Sequence, residues 1–455
     1  MGRILGLLSL LGAVVPVLIA QEQGLMERAR SGDMAAAIKL ARAYESGNGA
    51  SQDEAEAVRW YHRAADQGDP YSQAKLAEMY SLGEGAPKDD TEAAKWLMRS
   101  ASSGFAPAQL NLGLKYLHGE GVAQSDTAAA HWIGEAAEQG LPDAQADLGY
   151  LYLTGRGVPQ DFAQTQAWSL KAAKHGNATA ELNLGSMAEL HAHDEAKAEA
   201  WYRKSARQGY AEAEYRLGRL LASRTDPPSP ESVMWLKKAA EQNNALAQFS
   251  LGLLYEQGRG VPLDYREALH WYSQAAQQGS PQAQLNLGTM YQKGLGVNPD
   301  PAKAVALLLR AAEQHLGPAE WDVAVAYEQG NGVQQDPVQA RHWYDRAASD
   351  GAANAENSLA RCWYFGLGGE RDRQKAIEQF RRAAQAGDQN AIVNLAKVLS
   401  DNYASGDDRA EALRWIAVAK SRGLQFSTGG AAAPEQSTTP NPALERVSTA
   451  DMPTH

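Results

Sequence analysis

Apolar residues recur along most of this chain at spacings of three and four residues, the periodicity of amphipathic α-helices. The segment 244–279 shows two such helices in succession. The first carries its apolar face on Ala247, Leu251, Gly252 and Tyr255. The second carries its apolar face on Ala268, Trp271, Ala275 and Ala276. The pattern therefore predicts a helix pair.

The residues between and after these two helices are those that begin and end helices. Gly258 and Gly260 predict a tight turn, because glycine adopts backbone angles that other residues resist. Asp264 is placed to cap the second helix by accepting hydrogen bonds from free backbone amides. Gly279 stands where a helix commonly ends. In a later segment, Asp300 is followed by Pro301, which suits the first helical position.

This pair is one copy of a repeat of about 36 residues. Trp60, Trp96, Trp132 and Trp168 are spaced 36 residues apart, and further Trp residues continue the register after small changes in spacing. Eleven repeats are predicted, over residues 33–68, 69–104, 105–140, 141–176, 177–209, 210–243, 244–279, 280–315, 316–351, 352–387 and 388–423. One helix pair cannot bury its apolar faces alone, so neighbouring pairs must stack. The predicted fold is an all-α solenoid of about eleven antiparallel helix pairs.

The repeat also carries a recognisable motif. Ala247 to Gly279 meets A-x-x-x-L-G-x-x-Y-x-x-G-x-G-V-x-x-D-x-x-x-A-x-x-W-Y-x-x-A-A-x-x-G nearly in full. This resembles the Sel-like repeat family, a branch of the tetratricopeptide-like solenoids, and the resemblance extends from Asp33 to Gly423. It implies a right-handed superhelix and a non-enzymatic role as a scaffold or adaptor for protein complexes. One branch of the family has a disulfide in each repeat, but this chain has only Cys362.

The segments that flank the repeats are predicted to differ from them. Residues 1–20 have one positive residue followed by an apolar run, which predicts a secretory signal peptide and a periplasmic protein; an uncleaved membrane anchor is the alternative. Gln21 stands where a lipoprotein would have its lipidated cysteine, so no lipid anchor is expected. Residues 21–32 are expected to cap the first repeat. Residues 424–455, rich in Gly, Pro, Ser and Thr, are expected to be a disordered tail, with Leu424 and Phe426 able to fold back.

Composition and motifs argue against catalysis and against nucleic-acid binding. The chain has 43 Lys and Arg against 54 Asp and Glu, a net charge of −11, without the basic clusters that phosphate neutralisation requires. No phosphate-binding loop, nucleophile elbow or metalloprotease motif is present. His191, His193 and Asp194 are the one compact group of potential metal ligands, and we interpret them as solvated polar residues. Neither a catalytic residue nor a cofactor or metal site is predicted.

Protein binding is the better supported activity. We number positions from the first residue of each repeat. Positions 10 and 13 lie on one edge of the first helix, and in repeats 3 and 4 these positions are apolar. The candidate partner-binding residues there are Leu114, Leu117, Tyr150 and Leu153. A second candidate group consists of Trp321, Tyr364 and Phe365. For both groups the alternative is packing between repeats. Position 7 is polar in every repeat, which predicts that this edge of the first helix faces water.

These observations leave three functional hypotheses of different classes. The favoured one is an exported scaffold or adaptor that binds one or more proteins of the bacterial cell envelope, in secretion, exopolysaccharide export or cell-wall assembly. The second is a regulator that restrains a membrane sensor, which an uncleaved amino terminus would favour. The third is a cell-wall hydrolase, which would require convergent titratable groups that the sequence does not show.

Overall fold

We describe the protein from a computed structural model, which places residues 23–48, 50–349, 352–401 and 403–425. These residues form 23 helices and no strand, which confirms the all-α prediction. The predicted signal segment, residues 1–20, and Phe426 with the rest of the predicted tail lie outside the described residues. Within the described part of the chain, no helix is both long enough and apolar enough to cross a membrane.

Eleven helix pairs follow α1, which covers residues 23–30. The first helices of the pairs are α2 Met34–Ser46, α4 Pro70–Leu82, α6 Ala106–His118, α8 Pro142–Thr154, α10 Ala178–Leu190, α12 Ala211–Ala222, α14 Ala245–Gln257, α16 Pro281–Lys293, α18 Gly317–Gln329, α20 Ala353–Phe365 and α22 Gln389–Val398. The second helices are α3 Glu54–Asp66, α5 Asp90–Ser102, α7 Asp126–Glu138, α9 Phe162–Ala173, α11 Glu195–Arg207, α13 Pro230–Glu241, α15 Tyr265–Gln277, α17 Pro301–Ala312, α19 Pro337–Ser349, α21 Arg373–Gln385 and α23 Gly406–Ser421. Consecutive helices pack against each other from α2 to α11 and from α13 to α23, as in a solenoid.

The ends of the helices follow the predicted signals. α14 ends at Gly258, whose φ of +64° is the left-handed conformation that glycine tolerates. The carboxylate of Asp264 accepts hydrogen bonds from the backbone amides of Arg266 and Glu267, which caps α15. Pro301 occupies the first turn of α17, where its missing amide hydrogen is not needed. These local signals fix where each pair turns.

The second glycine of the turn also has a packing role between repeats. Gly121 has a φ of +69°, and a Cβ atom placed there would collide with the backbone carbonyl of Asp90 in the preceding repeat. The turn therefore lies directly against the beginning of the preceding second helix, and a glycine is required for contact as well as for backbone angle.

The chain divides into two compact regions within α12, one up to Ala213 and one from Glu214 on. In both regions the Trp of the second helix is a core residue: Trp96 and Trp271 are 4% and 7% exposed. Small residues allow close helix approach, and a Cβ at Gly252 would lie 2.5 Å from the ring of Tyr272. A small residue that faces a large ring thus lets the two helices of this pair pack closely.

The described ends of the array pack onto the neighbouring pairs. In α1, Ala29 is buried in the core of the first repeats, and Leu25 packs against that core. After α23, Leu424 packs against the core of the last two pairs, and its amide donates a hydrogen bond to the Ala419 carbonyl.

One prediction about the helix faces is wrong. Position 7 of the first helix was expected to face water throughout, and Lys39 and Asn111 do so. However, Asn183 and Asn394 are each only 2% exposed. Asn183 donates a hydrogen bond to the carbonyl of Ala146 in the preceding first helix, so the polar side chain links adjacent helices. Polarity at a repeated position therefore did not distinguish solvent exposure from a buried hydrogen bond.

Candidate partner-binding surface

Exposed apolar side chains collect on the first helices of repeats 2 to 4. We call this surface the α4–α6–α8 face and define it by Leu82, Leu114 and Tyr150. Leu82 is 61% exposed and Tyr150 is 47% exposed, whereas Leu114 is half-buried. Leu114 and Tyr150 occupy the same position of successive repeats, so they point to the same side of the array. Large apolar groups that remain exposed at the same place are typical of a partner-binding surface.

A groove runs between α4 and α6 on this face. Leu82 and Leu114 lie on opposite walls, and Asn111 and His118 extend the α6 wall. Glu78 and Glu120 also line the groove, so its apolar surface is bordered by carboxylates. An open groove with apolar walls and a polar edge suits a polypeptide segment better than a small molecule, since a small-molecule site usually encloses its ligand.

One of the four residues predicted for this patch has a packing role instead. Leu117 is 9% exposed and lies in one core cluster with Ile133 of the paired helix α7. Leu153 occupies the equivalent position in α8 and is half-buried. The position-13 side chain turns toward the second helix of its own pair, so Leu117 is a core residue. The exposed patch consists of position 10 and of Leu82 at position 14.

The structure separates the second predicted group. Trp321 is 7% exposed and belongs to the core that joins repeats 8 to 10, so it is not a surface residue. Tyr364 is half-buried, packs against a different core cluster, and donates a hydrogen bond to Asp401 at 3.1 Å. Phe365 is 40% exposed and makes an edge-to-face contact with Tyr364, with 5.0 Å between ring centroids. Only Phe365 remains a surface candidate in this group.

The basic side chains of the α4–α6–α8 face are already paired. The ammonium group of Lys75 lies 2.9 Å from a Glu45 oxygen and 2.8 Å from a Glu78 oxygen. Lys115 lies 3.4 Å from Asp90 and 3.5 Å from Glu120. Each lysine of these helices is therefore held by two carboxylates and leaves no uncompensated positive charge on the face.

In contrast to these paired groups, one carboxylate on the face, that of Asp147, has no partner among the described residues. Asp147 is half-buried, one turn before Tyr150 on the same side of α8, and no hydrogen bond or ion pair to it occurs among the described residues. Burial and the neighbouring Asp143 carboxylate raise the pKa of Asp147 to about 6. Asp143 itself accepts a hydrogen bond from Asn177 at 2.7 Å. The face is therefore acidic, with an unpaired carboxylate beside its most exposed aromatic ring.

The first helices of the second region present a different surface. At position 10, Leu253, Thr289 and Arg361 are all buried, at 4%, 8% and 7% exposure. Arg361 donates a hydrogen bond to Glu328, so its charge is used internally. Among the described residues, an exposed apolar side chain at position 10 is accordingly a feature of repeat 4, whereas position 14 is also apolar and exposed in repeats 5 and 10, as Leu190 and Phe365.

The potential metal ligands and the cysteine named from the sequence have other surroundings in the structure. No group of three or more His, Cys, Asp or Glu side chains among them could hold a metal ion. His191 stacks on Phe162 with 3.8 Å between ring centroids, and Asp194 caps α11 by accepting from the Lys197 amide. Cys362 is buried, and this burial raises the pKa of its thiol to about 12, so it is protonated at neutral pH.

Two surface residues were missed from the sequence. Leu82 was not singled out, although it lies one helical turn after position 10 on the same face. Asp147 was counted among the solvated polar residues of position 7, because a sequence shows neither its partial burial nor the absence of a cation beside it. A comparison of the residues at position 14 would have singled out Leu82, but no sequence signal marks Asp147.

The repeats match a known family model. The Sel1 repeat model matches ten successive segments, 35–69, 70–105, 106–141, 142–177, 178–210, 211–244, 245–280, 281–316, 317–351 and 353–388. The last helix pair, α22 and α23, follows these segments. Among curated proteins, none matches the sequence of this chain.

Solved structures give the same assignment. The crystal structure of c5321, a protective antigen present in uropathogenic Escherichia coli strains and displaying an SLR fold, is 31% identical to this chain. That match covers 90% of this chain and 91% of the other, with a TM-score of 0.60. A Sel1 repeat protein from Oxalobacter formigenes is 32% identical, over 73% of this chain and 88% of that chain, with a TM-score of 0.37.

Proposed function

Because this chain belongs to the Sel1 repeat family, whose members generally act as scaffolds for protein–protein interaction, we propose that it is a non-enzymatic scaffold of the bacterial cell envelope. It binds one or more envelope proteins through the α4–α6–α8 face and acts in the periplasm after export by residues 1–20. The observation that carries the proposal is the exposure of Leu82 and Tyr150 on the same face, with Tyr150 at a position that is buried, half-buried or polar in the other repeats.

The chemistry of the surface supports binding over catalysis. A scaffold needs a specific, accessible surface with a polar border and an apolar centre. The groove between α4 and α6 has this character, with Leu82 and Leu114 on its walls and Glu78 and Glu120 at its edge. A hydrolase would instead need a nucleophile or base held by an orienting partner in a water-excluding site.

Export is tested by fusing alkaline phosphatase, which is active only outside the cytoplasm, to the last repeat. We expect the full chain to give active enzyme and a chain lacking residues 1–20 to give none. Cleavage is read from the amino-terminal residue of the purified protein. Activity that does not depend on residues 1–20, or an inactive full-length fusion, would contradict the periplasmic assignment.

Partner binding is tested by placing a photo-crosslinking amino acid at Tyr150 or at Leu82 in the living cell. Leu170, 37% exposed on the second helix of the same repeat as Tyr150, is the matched control position. The proposal expects the same envelope protein to crosslink from Tyr150 and Leu82 and not from Leu170. It expects Tyr150→Asp to abolish the Leu82 adduct. Equal crosslinking from all three positions, or none from either surface position, argues against this face as the binding site.

A further inference from the structure

The charges on the α4–α6–α8 face specify the chemistry of what it binds. We propose, resting on the proposed function, that the bound segment of the partner carries a lysine or arginine flanked by large apolar side chains. The apolar side chains contact Leu82, Leu114 and Tyr150, and the cation pairs with Asp147. The inference goes beyond a general protein-binding role because it fixes the sign of the charge in the partner.

The first step is the position of the carboxylate relative to the apolar groups. Asp143, Asp147 and Tyr150 are separated by four and three residues, which places them along one side of α8. Tyr150 is 47% exposed, so its ring offers an accessible apolar surface next to Asp147. A side chain with an apolar stem and a cationic end, as in lysine or arginine, fits both neighbours at once.

The second step is that the face itself does not supply the cation. Lys75 and Lys115, the basic residues of α4 and α6, are each held between two carboxylates. The sequence of α8 contains neither lysine nor arginine. A partly buried carboxylate without a counter-charge is unfavourable in the free protein, and an incoming cation relieves this penalty. An acidic segment would add repulsion from Glu78 and Asp143.

The third step is a comparison with the same position of repeat 9, which is occupied by Asp322. Burial raises the pKa of Asp322 to about 7, but the positive charge of Lys293 opposes the rise. The charge that acts on Asp147 is instead the negative one of Asp143. Position 10 of repeat 9 is the half-buried Val325, so the combination of an uncompensated carboxylate and an exposed ring distinguishes repeat 4 from repeat 9.

Synthetic peptides test this directly with the purified full chain. The probes are three fluorescein-labelled peptides of equal length: one alternates Leu and Lys, one alternates Leu and Glu, and one alternates Ser and Lys. We expect anisotropy titrations to show binding of the Leu/Lys peptide at least about tenfold tighter than either other peptide, a difference of about 1.4 kcal/mol. The Leu/Glu peptide is repelled by the carboxylates of the face, and the Ser/Lys peptide buries no large apolar group.

Variants locate the binding to the proposed residues. Asp147→Asn should weaken the Leu/Lys peptide several-fold and leave the weak Leu/Glu peptide unchanged or slightly improved, because only the charge is removed. Tyr150→Ser should weaken the Leu/Lys peptide as well. Val338→Ser, which removes another exposed apolar side chain with 61% exposure, is the control and should bind as the wild type does. Circular dichroism melting checks that each variant is folded.

Three results would overturn the inference. They are equal binding of the Leu/Lys and Leu/Glu peptides, no binding of the Leu/Lys peptide, and an Asp147→Asn variant that binds the Leu/Lys peptide as tightly as the wild type does.

The proposed function is tested separately by mass spectrometry of the photo-crosslinked partner. A crosslinked segment that contains acidic and no basic residues leaves the scaffold function standing and rejects the inference. A complete lack of crosslinking from Tyr150 and Leu82 rejects the proposed function itself.

Discussion

The hydroxyl of Tyr272 donates a hydrogen bond of 2.7 Å to a carboxylate oxygen of Glu256 in the paired helix. The same bond recurs in three other repeats, between Tyr61 and Glu45, Tyr202 and Glu189, and Tyr344 and Glu328. Repeats without this tyrosine have no glutamate at the facing position; repeat 3 has Ile133 and Leu117 there. The tyrosine and the glutamate therefore occur together in a repeat.

We predict that Tyr272→Phe destabilises the protein by about 1.5–3 kcal/mol, the range for loss of a hydrogen bond to a charged group. Tyr272 is fully buried, and its hydroxyl also accepts a hydrogen bond from Asn286 of the next repeat. Removing the hydroxyl leaves Glu256 without its donor in a site where burial already raises the pKa of that carboxyl. Urea unfolding at pH 7 measures the change.

The double variant Tyr272→Phe with Glu256→Leu is the control, because it imitates the apolar pair of repeat 3. It should recover most of the lost stability, since no buried polar group is left unpaired. If its loss equals the sum of the two single losses, the two positions are independent and the pairing has no energetic basis.

A second pair of positions whose residues vary together forms hydrogen bonds between consecutive repeats. In repeat 8, the side chain of Gln284 donates to the Ala276 carbonyl and accepts from Gln314. Repeat 9 has Glu320 at the equivalent position, which cannot donate. There Arg346 takes over the donor role, with 3.0 Å to the Ala312 carbonyl and 2.7 Å to Glu320.

We predict that Arg346→Ala costs about 3–5 kcal/mol, because it removes the cation from Glu320, which is only 1% exposed. Adding Glu320→Gln should restore much of that loss, since glutamine can donate to the Ala312 carbonyl as Gln284 does in its own repeat. Thermal unfolding of the single and double variants measures both steps. A double variant less stable than Arg346→Ala alone would show that the glutamate is not the source of the penalty.

The helix pairs could be predicted from the sequence because their signals are local. Asp264 and Gly258 act on adjacent backbone groups, so their roles follow from their immediate neighbours. The exposure of Leu117 and Trp321 could not be predicted in the same way. Both lie on first-helix positions whose burial depends on the side chain that faces them from another helix, such as Ile133 for Leu117. One sequence shows the repeated position but not its neighbour in space.

The stability of the second region should depend on the protonation of Asp322. Burial raises the pKa of this half-buried carboxyl to about 7, and the positive charge of Lys293 opposes the rise only in part. Since the folded pKa lies above the unfolded value of 3.8, the stabilising contribution is complete only below that value and is lost progressively as the pH rises from there to about 7. The wild type should therefore melt at a lower temperature at pH 8 than at pH 5 on account of this group.

Asp322→Asn tests this dependence. The stability of the asparagine variant relative to the wild type should be nearly equal at about pH 4, near the unfolded pKa, and should grow to an advantage of about 1–2 kcal/mol at pH 8, after allowance for solvent screening. Asp345→Asn, at an exposed carboxylate of the same helix pair, is the control and should show no such difference. A gap between Asp322→Asn and wild type that stays constant from pH 5 to pH 8 would argue against a raised pKa.

Truncation of Leu117 and of Tyr150, both of which the sequence predicted to bind a partner, should affect the stability of the protein differently. Leu117→Ala should destabilise the protein by about 2–5 kcal/mol, because it opens a cavity beside Ile133. Tyr150→Ser should change stability by no more than about 0.5 kcal/mol, since the ring is 47% exposed, and yet it should abolish crosslinking from Leu82. Chemical denaturation and in-cell crosslinking of both variants measure the two effects. If Tyr150→Ser instead loses several kcal/mol, its ring belongs to the core, and the partner must be sought on another face of the array.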